Sequence, residues 1–135
     1  ASWLSRDGDT HMILRVLTFT FQGIVHPKGR PRTVIQGGKA HTYTPASTRD
    51  SENDLRVCIL ERLGRERLDL SGRFAVEMEF VGQRGDVDNL AKTILDSGNG
   101  LLWADDRQVD SLRCTKASGQ ASWVKVTVRR LGEET

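Results

Sequence analysis

The chain is 135 residues long, one domain's worth, since domains most often run to ~100–150 residues. Hydrophobic residues make up 37% and charged residues 28%, which permits a modest core and excludes wholesale disorder. The formal net charge of +2 hides a split: residues 13–49 hold no acid but six bases (Arg15, Lys28, Arg30, Arg32, Lys39 and Arg49), whereas residues 50–135 hold 13 bases and 16 acids.

No apolar run approaches the ~18–20 residues that a membrane span needs. Residues 1–12, ASWLSRDGDTHM, have neither a basic n-region nor an apolar h-region and do not read as a signal peptide. The pair His11-Met12 reads as a scar followed by a natural start. Residues 1–12 are therefore taken as an appended tag, and residues 13–135 as the domain. Cys58 and Cys114 lie far apart in apolar patterns and read as reduced thiols of a cytoplasmic protein. No Cys/His spacing suggests zinc.

In chain order, residues 13–21 are rich in β-branched and aromatic side chains and predict a strand. HPKGRPRT, at 26–33, is a loop punctuated by two prolines and a glycine. A turn at 36–39 and a short strand at 40–44 would complete a hairpin. Residues 45–63 predict the first helix, because Leu55, Ile59 and Leu63 recur at helical spacing beside Cys58. Its expected N-cap is Ser47 or Thr48, with Asp50 and Glu52 in the first turn and Gly64 as the stop. Phe74, Val76, Met78 and Phe80 alternate with Ala75, Glu77, Glu79 and Val81, which predicts a strand with one buried face. After a turn at 82–85, Asp88 is the expected N-cap of a second helix over 89–97, with Leu90, Ile94 and Leu95 toward the core. Residues 107–116 and 122–130 predict two further strands, joined as a hairpin through Ser118-Gly119. The order β-β-α-β-α-β-β defines a small α+β domain with two main helices and a mixed, mostly antiparallel sheet.

Candidate chemistry concentrates in residues 85–109, GDVDNLAKTILDSGNGLLWADDRQV. If Asp86 is still extended, its spacing from Asp88 points both side chains the same way. Asp105-Asp106 opens the next strand, and adjacent strands could return that pair beside the first. Convergent carboxylates repel one another unless a cation sits between them, and hard oxygen ligands select Mg²⁺ or Mn²⁺. Lys92 lies one helical turn after Asp88 and could meet a phosphate as an ammonium. Singly, an Asp before a helix is usually a cap and an Asp–Lys pair a weak surface ion pair. Asp96 and Asp110 read as solvated or capping residues.

In the loop, Lys28, Arg30 and Arg32 recur at every second position, a comb that matches a phosphate backbone. Lys39 and His41 extend the basic segment. The bland alternative is a solvated loop, which the absence of acids over residues 13–49 weakens.

Together these segments resemble the RusA family of Holliday junction resolvases, small endonucleases often carried by prophages. The resemblance rests on PKGRPR at 27–32, HTYTP at 41–45, and D-x-DNL-x-K…D…NG…W-x-DD-x-Q at 86–108. It runs in order over almost all of the chain after Met12. It implies a Mg²⁺-dependent endodeoxyribonuclease, with Mn²⁺ as a substitute. Asp86, Asp88 and Asp106 would then be its essential acids and metal ligands, and Lys92 its motif lysine. Asp105 would be a support or a further ligand, and Lys28, Arg30, Arg32, Lys39 and His41 would grip DNA. It further implies a cytoplasmic homodimer that acts on four-way junctions by paired symmetrical nicks, leaving 5′-phosphate and 3′-hydroxyl ends. A nuclease for flaps, forks or other branched DNA, or a non-catalytic module binding junctions or single strands, would draw on the same residues. Gly98 departs from the family's pattern, which carries an apolar residue there, and is expected to loosen the helix end by ~1 kcal/mol.

Overall fold

In chain order the elements are β1 (Trp3–Arg6), β2 (Met12–Leu14), β3 (Val16–Gln22), β4 (Arg32–Gln36), β5 (Lys39–Tyr43), α1 (Ala46–Leu63), β6 (Glu66–Leu68), β7 (Arg73–Val81), α2 (Val87–Ser97), a 3₁₀ turn (Asp106–Gln108), β8 (Val109–Ala117) and β9 (Trp123–Leu131). This computed structural model describes residues 3–6, 12–27, 32–36, 39–43 and 46–132, with side chains for residues 13–27 and 50–132.

The main sheet has the order β3-β9-β7-β8. β9 runs antiparallel to β3 and to β7, and β7 runs parallel to β8. The α+β class and the mixed, mostly antiparallel sheet are as the sequence predicts. On β7, Phe74, Val76, Met78 and Phe80 are buried, while Glu77 and Glu79 between them face solvent. β9 repeats the alternation with Val124, Val126 and Val128, and β3 adds Leu17 and Phe19. Leu55, Ile59 and Leu63 of α1 and Leu90 and Ile94 of α2 complete the same core cluster. Each such side chain, fully buried, contributes roughly 1.5–3 kcal/mol relative to exposure.

The expected hairpin of the last two strands does not form, because β7 lies between β8 and β9. Burial explains the order. β9 buries every second residue and needs a neighbour on each side, whereas β8 is largely exposed and suits an edge. The predicted strand over 13–21 breaks at Arg15 into β2 and β3, which join different sheets. β2 pairs in parallel with β6, a short strand without a strong sequence signal, and antiparallel with β1, which lies inside residues 1–12. Helix α1 begins at Ala46, so Ser47 and Thr48 fall inside it and its first turn holds no acid. Gly64 does end it, with φ +52° and its N–H donating to the Leu60 carbonyl at 3.0 Å.

Both cysteines are free and half-buried. Burial pushes both thiols up, and Glu61 adds to the effect at Cys58. Among the described residues, no helix is long and apolar enough to cross a membrane.

Candidate active site

The β7–α2–β8 unit lays out the candidate residues. Because β7 and β8 are parallel, the chain must travel back along the sheet between them, and α2 is that return. Its first turn therefore follows the end of β7, and its later turns run toward the start of β8.

Asp86 stands at the head of α2 as its N-cap, with extended backbone (φ −74°, ψ 141°), yet its side chain makes no capping hydrogen bond. Asp88 lies in the first turn rather than at the cap, and its carboxylate accepts the Asn89 N–H at 2.9 Å. The helix thus starts at Val87, and the strand-like alternation that would align Asp86 with Asp88 stops at Asp86. Both carboxylates are exposed.

Gly85 precedes them with φ +103°, and a Cβ at that position would lie 2.4 Å from Pro27 Cγ. Only glycine lets the two loops approach so closely. The root of the basic arm thereby sits against the head of α2. Three buried polar side chains fasten it there. Gln83 accepts the Val25 N–H and donates to the Gly23 carbonyl, both at 2.8 Å. The Thr93 hydroxyl donates to the His26 carbonyl at 2.8 Å, and the His26 N–H donates to Ser51 Oγ at 3.1 Å. Lys116 of β8 donates to the Gly85 carbonyl. None of these positioning residues stood out in the sequence; the one signal is Thr93, a polar residue on the apolar face of α2. Lys28 and Arg30 lie outside the described residues. Arg32, Lys39 and His41 lie on the β4–β5 hairpin, which forms as expected with Arg32 opposite Tyr43, His41 opposite Val34 and Lys39 opposite Gln36; their side chains lie outside the described ones.

Asp105 and Asp106 divide their labour. Asp105 caps the 3₁₀ turn: its carboxylate accepts the Arg107 N–H at 2.9 Å, while Gln108 Oε1 accepts the Asp105 N–H at 2.8 Å. This reciprocal capping box fixes the turn. Gln108 Nε2 also donates to the Leu70 and Gly72 carbonyls, tying the turn to the segment before β7. Asp106 is left to face α2, where its Oδ2 accepts from Lys92 Nζ at 3.0 Å. Lys92 Nζ also lies 3.1 Å from Asp96 Oδ1. The hydrogen bond to Asp106, with a smaller one to Asp96, raises the Lys92 ammonium above the ordinary lysine range against partial burial.

The structure thus brings Asp106 to Lys92 and Asp96, in the middle and later turns of α2, and leaves Asp86 and Asp88 at its head. Along the helix axis Lys92 lies about 6 Å beyond Asp88, and Asp96 about 12 Å beyond it. Among the described residues, no group of three or more His, Cys, Asp or Glu could hold a metal ion. Asp86 and Asp88 have the donor chemistry of a Mg²⁺ site, hard solvent-facing oxygens. Asp106 has the same chemistry, but Lys92 occupies it.

Gly98 shows tight packing where loosening was expected. It closes α2, its N–H donating to the Ile94 carbonyl at 3.1 Å. A Cβ there would lie 2.7 Å from Trp103 Cζ2. Trp103 is fully buried against Phe74, and its indole N–H reaches the Leu95 carbonyl and Asn99 Oδ1. The missing side chain is the space that the indole fills.

The site is a row of acids and one ammonium along a crossover helix, with a basic segment rooted at its head. The family model "Endodeoxyribonuclease RusA" matches residues 23–129, and the chain belongs to that family. The chain is also 24% identical to the uncharacterized protein YqaN of Bacillus subtilis (strain 168), over 85% of this chain and 96% of that protein.

Proposed function

We propose that this protein is a Mg²⁺-dependent endonuclease that resolves four-way DNA junctions as a homodimer, by paired symmetrical nicks, in the cytoplasm. The observation that carries the reading is the family match over residues 23–129, which takes in the basic arm and the whole acidic motif. In this reading Asp86 and Asp88 would hold the Mg²⁺, with Mn²⁺ as a substitute, and Asp106 would join them on exchanging its Lys92 contact for the ion. Bound there, the ion would supply Lewis-acid polarisation of the scissile phosphodiester. Asp105 supports them by capping the turn that carries Asp106.

The chain's own residues do the rest. Lys92 offers its ammonium to charge that develops on the phosphate oxygens. Lys28, Arg30, Arg32, Lys39 and His41 contact the DNA backbone and supply affinity without reading sequence. Gln83, Thr93, Ser51 and Gly85 keep the root of that arm beside the acids, so that a strand held by the arm passes the head of α2.

Asp88→Asn tests the reading. It should bind a synthetic four-way junction with about the parent's affinity, since it removes no phosphate contact. It should cut that junction at least about 100-fold more slowly in Mg²⁺, the scale set by losing an electrostatic group in the site. A gel-based cleavage assay with Mg²⁺ and with chelator reads both. Normal cleavage by Asp88→Asn would remove the acid from the site. Cleavage of flaps and forks but not of junctions would replace the substrate.

A further inference from the structure

Lys92 is held by two carboxylates from two different elements, and one of them, Asp96, belongs to the quoted motif but has no role in the chemistry proposed above. Asp96 lies one helical turn beyond Lys92 on α2, with its Oδ1 3.1 Å from Nζ and its side chain only 18% exposed. Asp106 approaches the same ammonium from the 3₁₀ turn, at 3.0 Å and 22% exposed. The lysine side chain itself is 49% exposed. A long, half-exposed lysine would normally sample many rotamers. Here two flanking acceptors define one place for its charge, and its three donors leave at least one for a third partner.

We propose that Asp96 is a positioning residue that anchors the Lys92 ammonium on the flank of α2, so that Lys92 stays in place when Asp106 turns to another partner. The proposal rests on the nuclease reading above for what Lys92 does. The two contacts are not equivalent. Asp106 sits in a short turn after a loop, and its pairing spans 14 residues of sequence. Asp96 sits on the same rigid helix as Lys92, so its distance from the lysine is set by helix geometry. A partner on the same helix keeps its hold whatever the turn does. Loss of Asp96 leaves Lys92 with a single tether, Asp106, which the proposed function also assigns to the metal.

The experiment compares Asp96→Asn and Asp96→Glu with the parent protein, after confirming that their melting temperatures match. The first readout is the side-chain ammonium ¹H–¹⁵N spectrum, with the Lys92 signal assigned by its loss in Lys92→Arg. A twice-anchored ammonium exchanges slowly enough to be seen. The signal should vanish or move in Asp96→Asn and persist in Asp96→Glu. The second readout is steady-state cutting of a four-way junction. Asp96→Asn should lower kcat about tenfold, with KM and junction affinity within about twofold, as expected for a misplaced group that acts in the transition state. Asp96→Glu should recover most of the loss. An unchanged Lys92 signal in Asp96→Asn, or unchanged kcat, overturns the proposal. If the parent protein itself cuts no branched DNA, the nuclease reading fails, and the ammonium spectrum still decides whether Asp96 anchors Lys92.

Discussion

The two ends of α2 are built on opposite terms. At the tail, polar groups are paired and space is filled. Ser97 donates to the Thr93 carbonyl at 2.7 Å, and Arg56 of α1 donates to the Ser97 and Asn99 carbonyls at 3.1 and 2.8 Å. A Cβ on Gly98 would meet the buried Trp103 indole. At the head, the N-cap carboxylate of Asp86 forgoes its capping bond, and Asp86 and Asp88 both face solvent. A side-chain cap is worth ~1 kcal/mol, so the head is less stable than the same residue type permits. One end holds the helix on the core; the other keeps its acids available.

The sharpest way to break this contrast is at the tail. Gly98→Ala puts a methyl 2.7 Å from Trp103 Cζ2 and 3.0 Å from Leu102 Cδ1. It should destabilise the fold by about 1–3 kcal/mol through overpacking, although alanine is the better helix former. Urea denaturation measures this, and a stabilised variant would show that the tail has slack. At the head the expected effect on folding is smaller. Asp86→Asn should change stability by no more than about 0.5 kcal/mol, because no capping bond is lost, while nicking of a junction falls steeply. A loss near that of a removed cap would mean that Asp86 is structural. The smallest effect lies away from both ends. The Ser71 hydroxyl and N–H donate to the Asp69 carboxylate and hold it below the ordinary carboxylate range. A lowered folded-state pKa adds stability above the unfolded value of ~3.9 and loses it as pH falls through the folded one. Asp69→Asn should therefore be slightly less stable than the parent at neutral pH, and the difference should shrink as pH falls below ~3.9, as read by denaturation across the acid range.

Much of this protein is local and therefore legible. The alternation at Phe74, Val76, Met78 and Phe80 marks a strand with one wet face. The spacing of Leu55, Ile59 and Leu63 marks a helix, and glycine at position 64 stops it. The residues on which the nuclease reading rests, Asp86, Asp88, Lys92 and Asp106, were also visible as a spaced motif. Their partners were not. Helix spacing matches Lys92 with Asp88, but its ammonium turns to Asp96 and Asp106. Gln83, Thr93 and Ser51 fasten the arm through bonds that span 25 to 67 residues, and no local pattern announces them.

The kind and order of the main elements are local properties of the chain, because side-chain period, turn residues and helix stops act over a few neighbours. That β8 pairs in parallel with β7, and that β9 lies on the other side of it, is not a local property. That choice depends on which strands must be buried on both sides, a property of the whole sheet. It also sets where the acids stand, since a parallel pair requires α2 as its return path, which puts Asp86 and Asp88 at the head of that helix and brings Asp106 to Lys92 midway along it.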